Sequence, residues 1–323
     1  MPGIWHDVPE SLKRVVKNVS GIWNLYMNIN WFCFALTQIF LLGCSNPSPS
    51  KSQGQERNDP TSCLELLPAP VRLDGGTVSI GSNVAYPEER PERRVKVGSF
   101  EIDAVEVTNA QFSIFVEETG YVTDAEKPQP GFDVPGGAVF SSPNAGNTSW
   151  WQFVEGASWQ HPEGPGSTIE GRGISPVVQV TLNDAKAYAN WAGRRLPTEV
   201  EWEYAAKAGA NSLYIWGDER APGGQEKANT WQGAFPIENT KDDGFGSRAP
   251  VGCFQPNAFG LYDMIGNVWE WTDTAWGDEK SQVIKGGSFL CAKNFCRRYR
   301  ASARQAQEEN FSTNHIGFRT VVD

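Results

Sequence analysis

GRRLPTEVEWEYAAKAG, residues 193–209, carries its own start and stop signals. Thr198 followed three residues on by Glu201 is a capping-box pattern, in which the two side chains satisfy each other's backbone N–H groups. Trp202 and Ala205 then fall on one buried side, and Gly209 is the natural stop. A second helix stands just upstream: Asn183 or Asp184 opens it, Ala185, Tyr188, Ala189 and Trp191 face inward, and Gly193 ends it. The capping signal recurs at Thr108 and Gln111, for a helix through about Glu118 closed by Gly120. These helices are short and lie among strand patterns. Gly76–Gly81 reads as one strand, and Arg93–Thr108 as two joined at Gly98. Residues 125–148 are Pro/Gly-rich and read as an irregular loop. Trp150–Ser167 is aromatic and turn-rich without a period. Beyond Gly209 the pattern is loop and short strand, with no internal repeat. The expected fold class is α+β, poor in regular elements, without a second domain boundary.

Composition agrees with that outline. A chain of 323 residues can bury a sizeable core,. Its 13 Trp, 33 Gly and 21 Pro fit a loop-rich fold pinned by large aromatics better than a helical bundle,. With 20% charged residues and a net charge of −10, it is not a nucleic-acid binder that works by neutralising phosphates,.

The N-terminal region reads as a targeting segment. Lys13, Arg14 and Lys17 precede the apolar run Trp31–Leu42, which ends at Leu41-Leu42-Gly43-Cys44. A basic stretch, a short apolar run and a small residue before the cut form the signal-peptide pattern. The run is short for a bilayer span. The ending resembles a bacterial lipoprotein box, in which Cys44 is lipidated and becomes the first mature residue. The division expected is therefore residues 1–43 as a signal peptide, 44–67 as a flexible polar tether, and 68–323 as the folded domain. The protein would lie outside the cytoplasm, anchored to a bacterial membrane only through lipid. Cys63, Cys253, Cys291 and Cys296 would then meet an oxidising environment.

Cys291 and Cys296 stand five apart within KGGSFLCAKNFCRRYRASAR, residues 285–304. On a helix that interval sets side chains about 140° apart, and on a strand it points them to opposite faces. Their sulfurs converge only if the chain turns across Ala292–Phe295. Spacing alone leaves a disulfide, a redox pair and a soft-metal site open, with the disulfide favoured. The arginines that follow, Arg297, Arg298, Arg300 and Arg304, suit the bracing of buried carboxylates or a peptide backbone better than free surface charge in so acidic a chain, with direct substrate contact as the second reading. His161, in a Trp/Pro/Gly turn, reads as a packed residue.

From Gly193 onward the chain resembles a known family. GRRLPTEVEWEYAAKAG, ANTWQGAFPIENTKDDGFGSRAPVG, NAFGLYDMIGNVWEWT, KGGSFLCAKNFCRRYRASAR and HIGFR, in that order, are similar to the formylglycine-generating enzymes. These belong to the sulfatase-modifying factor family, whose fold is related to C-type lectin domains. The likeness covers about residues 68–323, including HPEGPGSTI at His161. The motif GGS-x-x-C-x4-C-x-RYR is its most specific part, because inactive relatives lack one or both cysteines.

The resemblance implies an oxidase that uses dioxygen and a thiol reductant to convert a cysteine of an unfolded sulfatase, in a Cys-x-Pro-x-Arg motif, to Cα-formylglycine. It puts Cu(I) on Cys291 and Cys296, a soft pair for a soft ion. Ser288 and Trp269 fall at the positions lining the oxygen pocket. It also implies structural Ca2+ at two sites. The first matches Asn229, Thr230, Asp243 and Phe245, and the second Asp263, Gly266, Val268 and Glu270; Thr230 and Phe245 would give backbone carbonyls. Oxygen ligands from loops suit this hard cation. Departures are confined: Gln305–Asn310 replaces a family loop, and His315 stands where Asn is common, both where a substrate peptide is expected to run. Cys63 and Cys253 match no family role. The rival reading is a non-catalytic lipoprotein using the same fold as a binding module. The family's iron-dependent sulfoxide synthases, which need several histidines and a helical domain, are a poor match to a chain with three His.

Overall fold

Three threonines start the helices. Thr108, Thr181 and Thr198 each accept from the N–H three residues on, and Gln111, Asp184 and Glu201 bond back to the threonine,. This is a computed structural model; it describes residues 63, 64, 66–143, 148–277 and 280–323. The expected signal segment, Cys44 and most of the expected tether lie outside the described residues. The chain divides into two units, Met1–Arg57 and Asn58–Asp323, and all that follows concerns the second.

In chain order the strands begin with β1 (Val71–Leu73), β2 (Gly76–Ile80), β3 (Arg93–Val97) and β4 (Phe100–Ile102). Helix α1 (Asn109–Thr119) follows, then β5 (Gly136–Phe140) and β6 (Trp151–Glu155). Helices α2 (Leu182–Trp191) and α3 (Glu199–Lys207) come next. The chain closes with β7 (Trp269–Ala275), β8 (Ser281–Lys285), β9 (Arg304–Glu308), β10 (Ile316–Gly317) and β11 (Val321–Val322). The α+β class expected from the sequence is the class observed.

Five details differ from the expectation. Helix α2 begins one to two residues earlier, because Asp184 is the back-bonding acceptor of its box and Thr181 is the cap. Trp191 at its end is 37% exposed rather than inward, its Nε1 donating to Glu118 Oε2 at 3.2 Å. Helix α3 stops at Ala208, held at φ 46°, one residue before Gly209. The stretches read as irregular loop and as aperiodic segment contain a hairpin, β5 with β6, registered from Gly136↔Glu155 to Phe140↔Trp151. Two glycines and a long connection hide its alternation. Finally, the replaced run after the arginines is mostly strand: β9 pairs with β8 from Lys285↔Arg304 to Ser281↔Glu308.

A four-stranded sheet, order β10-β7-β8-β9, forms the centre. Strand β10 lies parallel to β7 through Ile316↔Trp269, and the other pairs are antiparallel. A three-stranded sheet, β1-β4-β11, joins both ends of the domain. The main core gathers Phe112, Trp202, Trp271, Ile284 and Phe318, all fully buried. Rings of this size stabilise the fold by about 2–3 kcal/mol each when removed from water. Cys63 is bonded to Cys253, 190 residues away. Closing so long a loop contributes on the order of 5 kcal/mol in the chain-entropy account.

Candidate active site

Strand β8 ends at Lys285, and the chain leaves it through Gly286 and Gly287, both at positive φ. A side chain at Gly287 would press within 2.7 Å of the Arg298 carbonyl, so only glycine lets the two strands of this loop lie together,. Ala292 and Phe295 then exchange backbone hydrogen bonds of 2.8 and 3.2 Å, which closes the turn predicted between the thiols. Cys296 sits beyond it at φ 50°. The two sulfurs stand 3.3 Å apart as free thiols. The disulfide that spacing favoured is not the bond formed; the covalent bridge is Cys63–Cys253.

The thiols differ in surroundings. Cys291 is buried, and burial pushes its thiol up,. The hydrogen bond from Cys291 draws Cys296 down to about 7, against burial and helped by Arg298, whose Nη1 lies 3.9 Å from the sulfur. Cys296 is thus the partner that holds negative charge near neutral pH. The Ser288 N–H points at the Cys291 sulfur from 3.4 Å, and the Ser288 hydroxyl is buried beside it. Trp269 opens β7, and the neighbouring Asn267 carbonyl accepts from Phe289 N, which sets the β7 entrance against the Ser288 turn.

Three of the four arginines brace carboxylates. Arg298 Nε bonds Glu88 at 3.0 Å, Arg300 bonds the buried Glu89, and Arg304 Nη2 bonds Glu199 Oε2 at 3.0 Å. The Tyr86 ring lies 4.2 Å beneath the Arg298 guanidinium, and its hydroxyl accepts from Arg297 N,. Arg297 itself is exposed. The 86–89 segment therefore supports the thiol loop from more than 200 residues away, a role the sequence reading missed. An aromatic rim was missed as well. Phe295, 45% exposed at the closing pair of the turn, stacks on Phe235 at 4.5 Å and meets Trp150 edge-on. Its signal was the Trp150-Trp151 pair and the phenylalanine inside the thiol motif.

The oxygen-rich loops lie apart from the turn in sequence. Asp243 is fully buried; its oxygens accept from Thr230 N, Phe245 N and Gln232 Nε2 at 2.8–2.9 Å. No cation partners it among the described residues, and burial pushes its carboxyl up to about 6. Asn229 Oδ1 is buried beside these groups and accepts nothing. Gly266 brings the next loop close: a side chain there would meet the Asn229 carbonyl at 2.3 Å. That loop holds Asp263, whose carboxyl burial pushes up to about 6, and Glu270, clamped by Arg319 at 2.7 and 2.8 Å and by Trp202 Nε1. Glu106, buried with Oε2 unpartnered, adds a third carboxylate against the one Arg319. Among the described residues no three His, Cys, Asp or Glu side chains converge as a metal cluster. Cations would need the carbonyls and amide oxygens too. The orphaned Asn229 oxygen and the surplus of buried negative charge fit that requirement.

His161 is packed, its Nδ1 2.6 Å from the Ser167 carbonyl. His315 is buried against Trp151 and bonded to Thr313 Oγ1, so it is not a surface for a peptide.

The model of the sulfatase-modifying factor enzyme 1-like domain matches residues 56–323. The formylglycine-generating enzyme of Mycobacterium tuberculosis is 47% identical over 296 residues, covering 80% of this chain and 99% of that one. A protein of Mus musculus named inactive C-alpha-formylglycine-generating enzyme 2 is 39% identical, covering 78% of this chain and 85% of that one. Overall identity therefore spans relatives named as enzymes and relatives named as inactive. Among solved structures, PvdO from Pseudomonas aeruginosa superposes with a TM-score of 0.56 at 23% identity, over 79% of this chain and 94% of that one, a likeness of fold.

Proposed function

This chain belongs to the sulfatase-modifying factor family of formylglycine-generating enzymes, and we propose on that premise that it oxidises one cysteine of an unfolded sulfatase to Cα-formylglycine. The observation that carries the reading is the pair of free thiols, 3.3 Å apart, one buried and one reaching the surface. Cys291 and Cys296 would hold copper, which when bound supplies one-electron chemistry toward dioxygen and a soft centre for a substrate thiolate. The balance is closed by a thiol reductant: a cysteine CH2–SH, dioxygen and two reductant thiols give an aldehyde, hydrogen sulfide, water and one disulfide.

The chain's own groups do the rest. Arg298, fixed by Glu88 and Tyr86, offsets charge on the Cys296 sulfur. Ser288 offers a buried hydroxyl next to Cys291, a donor for reduced oxygen. Trp269, buried at the start of β7, supplies bulk that keeps water out. Phe295, Phe235 and Trp150 give an apolar rim on which an extended peptide can lie. Two structural Ca2+ ions complete the reading, one at Asn229, Thr230, Asp243 and Phe245, the other at Asp263, Gly266, Val268 and Glu270. We place the protein outside the cytoplasm, lipidated at Cys44; the Cys63–Cys253 bridge supports an oxidising compartment,. Among the described residues no helix is long and apolar enough to cross a membrane.

The test is mass spectrometry of a Cys-x-Pro-x-Arg peptide incubated with the protein, Cu(I), oxygen and dithiothreitol. The expected product is the aldehyde, and Cys296→Ser should lose both it and Cu(I) binding measured against a chelator. A copper-loaded protein that makes no aldehyde would leave the non-catalytic module standing.

A further inference from the structure

A stack of three aromatic rings leads from the thiol loop to the surface. Tyr299 follows Cys296 by three residues, is buried in the same cluster as Cys291, and crosses Gly287 with its backbone. Tyr214 stacks on the Tyr299 ring at 6.0 Å between centroids and 9° between planes. Trp216 stacks on Tyr214 at 5.3 Å and 4°. A tight turn holds this second pair, with Tyr214 and Gly217 exchanging backbone hydrogen bonds of 2.9 and 3.1 Å. At the outer end Trp216 is half-buried, its Nε1 donating to the Glu219 and Arg220 carbonyls. Trp216 and Tyr299 both border one shallow surface depression, beside Arg220 and Glu226.

Phenols and indoles are, after thiols, the side chains most easily oxidised by one electron, and parallel rings in contact pass electrons between them. We propose that Trp216, Tyr214 and Tyr299 relay single electrons between a small thiol reductant that meets Trp216 at the surface and the Cys291–Cys296 pair. This rests on the oxidase reading above, which needs two electrons from outside per aldehyde formed. Two reductant thiols become one disulfide and release two electrons inward and two protons to solvent. When a tyrosine loses an electron, its phenolic proton leaves to solvent, and both return with the next electron.

The relay is tested without copper or substrate. Metal-free protein with reduced thiols is oxidised by tris(bipyridine)ruthenium(III), generated by light and a cobalt(III) electron acceptor; the complex is too bulky to reach buried Cys291, and direct attack on Cys296 is a background common to all three proteins. Two electrons drawn outward, with two protons lost from the thiols, leave a Cys291–Cys296 disulfide that peptide mass spectrometry counts. Tyr214→Phe keeps the ring and its packing but removes the oxidisable phenol, and should cut the disulfide yield about tenfold. Trp216→Phe should do the same, with thermal melts confirming that both variants fold. Equal yields in all three proteins would overturn the relay. In the peptide assay at limiting dithiothreitol, Tyr214→Phe should slow repeated turnover by about the same factor. If the wild type yields no aldehyde, the oxidase reading fails, and the photo-oxidation yields still decide the relay.

Discussion

The thiol turn and the carboxylate loops are assembled in opposite ways. Cys291 and Cys296 meet through one turn of four intervening residues, and Cys296 is the less buried of the two. Asp243, Asp263 and Glu270 meet their partners only because the chain folds as a whole: Glu106 comes from before α1, Arg319 from the end, and Asn267 bonds both Glu106 and Asn229. A turn closed by its own backbone, braced from outside at residues 86–89 and 199, is the more separable from the fold. A site whose buried charges are balanced across the core is not. Chemistry on sulfur can therefore vary within this scaffold, while the oxygen-rich loops have to be kept.

The largest effect that tests this contrast is Arg319→Met. Glu270, Glu106 and Asp263 would be left buried without their cation, at a cost of about 3–5 kcal/mol in urea unfolding. Cys296→Ser should stay within about 1 kcal/mol of the wild type in the same experiment. Equal losses in the two variants would erase the distinction. Next comes Asp243→Asn. Calcium at a hundredfold excess over its dissociation constant should stabilise the wild type by about 3 kcal/mol, read as a melting shift against EGTA. The variant should lose most of that shift, and an undiminished response would remove Asp243 from the cation site.

His315 gives the smallest effect, at the seam where Trp269 N bonds its carbonyl. Burial holds its imidazole down to about 3, with the Arg248 charge adding to that. The unfolded chain binds a proton near pH 6.5 and the folded one does not, so stability present above 6.5 is lost as pH falls. At pH 5 the loss is about 2 kcal/mol. Asp184, Asp243 and Asp263, raised to about 6, push the other way between pH 6 and 4. The quantity to read is therefore the difference between wild type and His315→Asn across pH 5–6.5. Parallel curves would show that the buried imidazole protonates as easily as a free one.

The sequence disclosed what local chemistry governs. Capping boxes are three-residue signals, so α1 and α3 stood out at Thr108 and Thr198, and the turn between the thiols followed from the five-residue interval alone. Helix α2 was misplaced by a residue or two because Asp184 works as cap or as back-bonding acceptor equally well. What escaped were contacts across the chain. Nothing near Cys63 points to Cys253, nothing in Tyr86-Pro87-Glu88-Glu89 points to Arg298, and the β5–β6 hairpin has its alternation interrupted by glycine. The candidate cation ligands became visible only through the family resemblance, since an isolated Asp-Asp-Gly reads as a turn.

The Cys63–Cys253 bond also gives the molecule a covalent topology. It closes most of the domain, α1 to α3 included, into one ring, and leaves β7 to β11 with the reactive thiols as an open tail. A protease that cuts once inside the ring releases nothing, and the nicked protein still migrates as one chain without reductant. A cut between Cys253 and the thiol turn removes the only covalent link between the turn and the residues 86–89 that brace it. The half of the molecule that carries the chemistry is the half its own disulfide does not secure.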